Sequence, residues 1–242
     1  MTTDIRNIVV LTGAGISVES GLPAFRTVNG LMGWDTGLTV HPLEDVATPE
    51  AFRRDPALVQ AFYDARRRRL KEVEPNAAHR ALARLDSGWP GDLLIVTQNV
   101  DDLHERAGAR RLLHMHGELK SAWCLGCDSR MPWDEDLGDA PLCPSCGVAG
   151  RLRPDIVWFG EMPYEMERID RALTLCDLFV SIGTSGNVYP AAGFVQTARH
   201  CGARTIEINL EPSLGSYLFH ESRTGHAGEL VPAWVEEMLG TP

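Results

Sequence analysis

Four cysteines stand in two pairs, Cys124-x-x-Cys127 and Cys143-x-x-Cys146, with fifteen residues between the pairs. Tetrahedral Zn²⁺ takes four soft ligands at about 2.3 Å, and two such knuckles supply them. Four thiolates leave no open coordination position, so this Zn²⁺ is expected to be structural and to take no part in catalysis. Shortly before the first pair, His116-Gly117 offers an imidazole at the end of an apolar run. A lone histidine suits a structural role as well as a catalytic one, and His114 shares the face expected for His116 on an extended strand.

Near the start, Gly13-Ala14-Gly15-Ile16-Ser17 follows a short apolar run. Between a strand and a helix, such a turn lets backbone N–H groups approach an oxyanion. Position 18 is Val where a third glycine would complete the common fingerprint, and Asp35 has no expected strand to carry it. A nucleotide site and a plain turn both remain open on this motif. Two later strand ends, Gly183-Thr184-Ser185 and Asn209-Leu210-Glu211, are better placed to read a ribose at the carboxyl edge of a sheet. Thr97-Gln98-Asn99-Val100-Asp101 ends another apolar run, where amide and carboxylate groups would hold ribose hydroxyls and a carboxamide, or would form a polar loop with an Asx turn. Tyr63 and Arg66 are three apart on an expected helix, so a phenol and a guanidinium adjoin. Together they suit a carboxylate, although Arg66 to Arg69 also reads as a solvated face.

These groups need a scaffold. Ile8–Thr12, Leu93–Thr97, Leu112–His116, Leu178–Ile182 and Thr205–Asn209 read as buried strands. Between them, Pro56–Val73, Ala77–Leu85, Ile169–Cys176 and Ala191–Cys201 read as helices. Alternation of this kind predicts an α/β fold, a doubly wound parallel sheet. Two stretches interrupt it: one from about Phe25 to Glu74 with no convincing strand, and the cysteine segment. The expected division is 1–26, 75–118 and 154–242 for the sheet domain, with 27–74 and 119–153 forming a smaller helical and zinc-binding domain. Cys176 and Cys201 read as free thiols filling core space.

The chain has 242 residues and a formal net charge of −10, which argues against a nucleic-acid module. No apolar run reaches membrane-spanning length. The opening Met1–Asn7 segment has no ordered charged leader and apolar region, so the cytoplasm is the expected compartment.

The run from Gly13 to Arg26, then Gln98-Asn99-Val100-Asp101, His116-Gly117, the four cysteines, Gly183-Thr184-Ser185 and Asn209-Leu210-Glu211 together resemble the sirtuin family over nearly the whole chain. The chain looks most like the class III branch, the CobB-type deacylases that favour succinyl- and malonyl-lysine. Tyr63-x-x-Arg66 matches that branch's acyl-carboxylate motif, and Ala47 matches a small residue that widens the acyl pocket. The resemblance implies a Rossmann-type NAD-binding sheet and an NAD-dependent protein-lysine deacylase acting on succinyl, malonyl and acetyl groups. Acylated proteins would be its partners, with neither membrane nor nucleic acid involved. It further implies that Asn99 and Asp101 hold the nicotinamide carboxamide, beneath a loop carrying Phe25 and Arg26. Gln98 and His116 would flank the ribose, and the Val157 carbonyl would accept the acyl amide proton. Gly13, Ala14, Gly15, Ile16, Gly183, Thr184, Ser185, Asn209, Leu210, Glu211 and Ala227 would line the rest of the NAD site. In the implied reaction the acyl oxygen attacks C1′ of the ribose as nicotinamide leaves. The product is an alkylimidate; His116 then serves as general base on a ribose hydroxyl, which closes onto the imidate carbon, and water releases lysine and 2′-O-acyl-ADP-ribose. Protein mono-ADP-ribosyl transfer shares the first step and is the alternative; a non-catalytic binding module built on the zinc ribbon is a third class. Two positions depart from the resemblance: Met32 follows Gly30-Leu31 where an aromatic is common, and Asp155 stands in place of a histidine.

Overall fold

A computed structural model describes residues 5–23, 26–28, 31–35 and 40–240 of the chain. It begins with β1 (Ile8–Thr12) and a 3₁₀ turn over Ala14–Ser20, followed by β2 (Arg26–Val28), β3 (Leu31–Asp35) and β4 (Val40–Pro42). Four helices come next: α1 (Leu43–Val46), α2 (Pro49–Arg54), α3 (Pro56–Leu70) and α4 (Ala77–Gly88). Then come β5 (Leu93–Thr97), α5 (Leu103–Ala107), β6 (Leu112–His114), β7 (Gly117–Cys124), β8 (Arg130–Pro132) and β9 (Leu152–Ile156). The last part holds α6 (Met166–Leu175), β10 (Leu178–Ile182), α7 (Phe194–His200), β11 (Arg204–Asn209), β12 (Glu221–Thr224) and α8 (Ala227–Leu239).

Six strands form one parallel sheet in the order β12-β11-β10-β1-β5-β6. β1, β5 and β10 are buried along their whole length, because both faces are covered. Alternate residues serve opposite layers: Ile8, Val10, Leu93, Ile95 and Val180 pack with Leu82, Leu85 and Trp234 of α4 and α8. Val9, Leu11, Leu94, Val96 and Phe179 pack with Ile169, Leu173 and Val195 of α6 and α7. Strand order reverses at β1, which has β5 on one side and β10 on the other, and ligands of doubly wound sheets gather at the carboxyl ends beside such a reversal.

Several sequence expectations need correction. The stretch after residue 25 contains an antiparallel sheet, β2-β3-β4, and Asp35 ends its middle strand. These strands are only three to five residues long, too short to show a period. The strand expected at Leu112–His116 stops at His114; Met115 and His116 form a turn into β7. β7 pairs with β8 and β9 in a second antiparallel sheet, the ribbon that carries the cysteines. Gly117 has φ +80, and a Cβ there would lie 2.0 Å from the Asp155 carbonyl oxygen, so His116 must be followed by glycine for β9 to pass. Within Arg66–Arg69, Arg67 is buried: it pairs with Asp64 at 2.6 Å and donates to the Leu119 carbonyl at 2.7 Å. Cys176 is buried, and burial pushes its thiol up to about 11, whereas Cys201 is exposed and fills no core space.

Candidate active site

The glycine turn is built by loop against loop. Gly15 N–H donates to the Gly183 carbonyl at 2.8 Å and Gly13 N–H to that of Ile182 at 3.0 Å. A Cβ on Gly15 would stand 2.7 Å from Gly183 Cα. These glycines therefore let the loops after β1 and β10 touch, and their two N–H groups are engaged there rather than aimed at a ligand. Ile16 turns its side chain into the core, while Gly13, Ala14 and Gly15 line a cavity of about 1420 Å³ along the carboxyl edge of the sheet. Asn76, the N-cap of α4, braces the same turn by donating to the Ile16 carbonyl at 2.7 Å.

The loop after β5 forms the floor. Asn99 Nδ2 donates to the Gly13 carbonyl at 3.2 Å and to Ser17 Oγ at 3.1 Å, and Ser17 Oγ–H donates to Asp101 at 3.0 Å. Burial pushes the Asp101 carboxyl above its usual range, against the pull of the Leu103 amide and Ser17. Ser17 thus joins the glycine turn to both expected carboxamide contacts. Its place beside the Gly-x-Gly turn was the available signal, but the sequence reading assigned it no role.

His116 lies on the wall of the same cavity. Its Nδ1 is 3.1 Å from the Gln98 carbonyl, which only accepts, so Nδ1 carries the proton and Nε2 keeps its lone pair. Burial lowers the pKa of the ring, and the Gln98 carbonyl only partly offsets that effect. The neutral base therefore dominates at neutral pH and is lost as pH falls through a value below the ordinary 6.5. The acidic limb of a kcat/KM profile is expected to bend below pH 6.5; a midpoint above 6.5 would contradict this reading of the ring. His114 is engaged elsewhere, with Nδ1 3.0 Å from the Asn99 carbonyl and Nε2 2.6 Å from Glu105.

Tyr63 and Arg66 project from α3 and line the same cavity as Ala47, Val157 and Trp158. The phenol is buried, which raises its pKa to about 12; burial also lowers the half-buried Arg66 to about 10, which leaves it charged at neutral pH. Val157 N–H donates to the His116 carbonyl at 2.9 Å, and the Ala47 carbonyl accepts from Phe159 N–H at 3.0 Å. Asp155, one of the departures, is buried and accepts from Tyr164 at 2.7 Å, Ser121 at 3.0 Å and Arg130 at 3.2 Å, tying the ribbon to the segment before α6.

Across the edge, Gly183, Thr184, Ser185, Asn209, Leu210, Glu211 and Ala227 reach the cavity. The Asn209 amide is bonded to the Thr184 carbonyl at 2.7 Å, so it shapes the loop as well as facing the opening. Glu19 accepts from Gly228 N–H at 3.0 Å and places an acid at the positive end of α8. A dinucleotide fits this crevice: the volume exceeds that of ordinary small-ligand sites, about 300–1,000 Å³, and Gln98, Asn99 and Asp101 converge on its floor. Phe25 lies outside the described residues, and of Arg26 only the backbone, in β2, is described.

The four cysteine sulfurs lie within 4.8 Å of one another, with Cys124–Cys146 and Cys127–Cys143 each at 3.8 Å. Thiolates at the corners of a tetrahedron about 2.3 Å from its centre are about 3.8 Å apart, so the quartet fits Zn²⁺.

Residues 13–190 match the Sir2 family. The chain is 54% identical over 239 residues to the NAD-dependent protein deacylase SIR2rp3 of Leishmania major, covering 97% of this chain and 96% of that protein. It is 54% identical over 241 residues to an NAD-dependent protein deacylase of Pasteurella multocida, covering 99% and 100%. Among solved structures it resembles a Sir2 homologue–NAD complex, with a TM-score of 0.86, 36% identity and coverage of 98% of this chain and 91% of that one. It also resembles Sir2 bound to acetylated peptide, with a TM-score of 0.82, 25% identity and coverage of 100% and 96%. With a family match over more than half its length, relatives matched nearly end to end, and a parallel sheet whose carboxyl-edge crevice adjoins a four-cysteine ribbon, the chain belongs to the Sir2 family.

Proposed function

We propose that the chain is an NAD-dependent protein-lysine deacylase that accepts succinyl and malonyl groups as well as acetyl. The observation that carries this reading is a single cavity holding the His116 imidazole, the Asn99–Asp101 floor and the Tyr63–Arg66 pair. NAD, when bound, supplies a ribose carbon from which nicotinamide departs. Asn99 and Asp101 hold the carboxamide end, and the loops at Gly13–Gly15, Gly183–Ser185, Asn209–Glu211 and Ala227 hold the remainder. His116 Nε2 takes the proton of a ribose hydroxyl while Gln98 keeps the other nitrogen protonated. The Val157 carbonyl receives the amide proton of the acyl-lysine, Ala47 leaves room for the acyl chain, and Tyr63 with Arg66 binds its terminal carboxylate.

The proposal keeps the division into a sheet domain (1–26, 75–118 and 154–242) and a small domain (27–74 and 119–153). Its support is that Asp64 accepts from Leu137 N–H and Gly138 N–H, each at 2.9 Å, and Gln60 donates to the Leu152 carbonyl at 2.8 Å. It also places the protein in the cytoplasm, where thiols stay reduced and a four-thiolate site persists. No helix among the described residues is long and apolar enough to cross a membrane.

The direct test incubates the protein with NAD and matched acetyl-, malonyl- and succinyl-lysine peptides and follows free lysine and O-acyl-ADP-ribose by mass spectrometry. No nicotinamide release with any of them would refute the proposal, and label passing from NAD to protein without acyl-lysine would indicate mono-ADP-ribosyl transfer. A charge-assisted hydrogen bond is worth about 1.5–3 kcal/mol. Tyr63→Phe combined with Arg66→Met is therefore expected to lower succinyl turnover at least about tenfold and spare acetyl turnover. Equal losses on both acyl groups would remove the carboxylate-reading role.

A further inference from the structure

Trp158 is 2% exposed and packs among Ala47, Phe62, Tyr63, Leu119 and Ile156, behind the acyl end of the cavity. Its indole Nε1–H donates to the Tyr63 hydroxyl at 3.0 Å. The indole is held from several sides. The Arg153 guanidinium lies 3.3 Å from the Trp158 ring centroid and is clamped by Glu161 at 2.7 and 3.0 Å. Glu161 also accepts from Trp158 N–H at 2.8 Å, and Phe52 packs on the ring with centroids 5.3 Å apart. Backbone and ring are both fixed, so the direction of the indole N–H is fixed as well.

An indole only donates, whereas a phenol both donates and accepts. With the indole N–H pointed at the phenol oxygen, the hydroxyl proton has to turn away from Trp158. Tyr63 lines the cavity, and a ligand there can supply the acceptor. The phenol does not escape this constraint by ionising, since burial raises its pKa to about 12. A terminal carboxylate only accepts, so it is the kind of acyl end that an outward phenolic proton serves. An acetyl methyl has no use for it.

We infer that Trp158 is a positioning residue for acyl selectivity: by donating to Tyr63 it commits the phenolic proton to an acidic acyl terminus. The inference rests on the proposed carboxylate-reading role of Tyr63 and Arg66. Its readout is the ratio of kcat/KM for a succinyl-lysine peptide to that for the matched acetyl-lysine peptide. Trp158→Phe removes the N–H and is expected to lower this ratio about three- to tenfold, chiefly through a raised KM for the succinyl peptide. In a Tyr63→Phe background the same substitution is expected to leave the ratio unchanged, because no phenolic proton remains to be directed. Phenylalanine also leaves space in a packed core. Benzothienylalanine at position 158, which replaces N–H by sulfur in a ring of similar shape, is the second variant and should lower the ratio by a similar factor. A ratio unchanged in both variants would overturn the inference, as would an equal fall in the Tyr63→Phe background. If Tyr63→Phe with Arg66→Met itself leaves the ratio unchanged, the carboxylate reading fails and this inference falls with it. If that pair shifts the ratio and the Trp158 variants do not, only the role of Trp158 is lost.

Discussion

Replacing His116 by Tyr is expected to lower kcat/KM for every acyl-lysine peptide by about 10²–10⁴-fold, the usual worth of a positioned general base. The wild-type ring is already neutral at neutral pH because burial disfavours its charge, and its proton sits on Nδ1 because the Gln98 carbonyl accepts it. Nε2 is therefore ready to take a proton without a prior ionisation or a change of tautomer. A tyrosine hydroxyl is protonated at that pH and carries no comparable lone-pair base. The substitution should leave the fold standing, since His116 sits in a turn and lines an open cavity rather than the packed layers around the sheet. Steady-state product formation and thermal melting together make the check. Activity within tenfold of the parent, on both acetyl and succinyl peptides, would exclude His116 as the base.

The second large effect is expected from the cysteine quartet, although the metal would not touch the reaction. Structural zinc contributes on the order of 10 kcal/mol or more in small metal-bound modules, against a total stability of about 5–15 kcal/mol for a typical domain. Cys124 and Cys143 are buried with Ala122, Leu137 and Leu152 in a small separate cluster, too few residues to hold the ribbon alone. β7 runs from Gly117, next to His116, to the ligand Cys124, and β9 runs from Leu152, paired with Cys124, to Ile156, next to Val157. A metal at one end of these strands would thus fix His116 and Val157, the proposed base and acyl-amide contact, at the other. Cys143→Ser is expected to yield a metal-poor protein with fast amide exchange in β7 and β9, retained protection in β1, β5 and β10, and turnover reduced at least about tenfold. A metal-free variant with protected β7 amides and full turnover would show that the ribbon stands without zinc.

Five of the six strands of the central sheet were legible in the chain because they are apolar runs, the pattern that burial on both faces requires. The edge strand β12 was missed because it is polar and alternates between half-buried and exposed residues. The cysteine quartet was legible for a related reason: two x₂ spacings carry their ligand geometry locally, and the rest of the fold has only to bring two knuckles together. The short strands β2, β3 and β4 were missed because segments of three to five residues show no period and are stabilised by their partners. His116 was placed on a strand for want of one fact, that Gly117 turns the chain to let the Asp155 carbonyl pass.

By itself, then, the sequence determined five of the six sheet strands, the cysteine quartet and most of the polar groups available at the carboxyl edge, since each is written in local spacing or local hydrophobicity. The tertiary structure alone decided which nitrogen of His116 carries the proton, that Ser17 binds Asn99 and Asp101 together, and that Trp158 donates to the Tyr63 hydroxyl across 95 residues of chain. The direction of a hydrogen bond depends on where a distant partner's lone pair or proton comes to rest, and no local period in a chain encodes that.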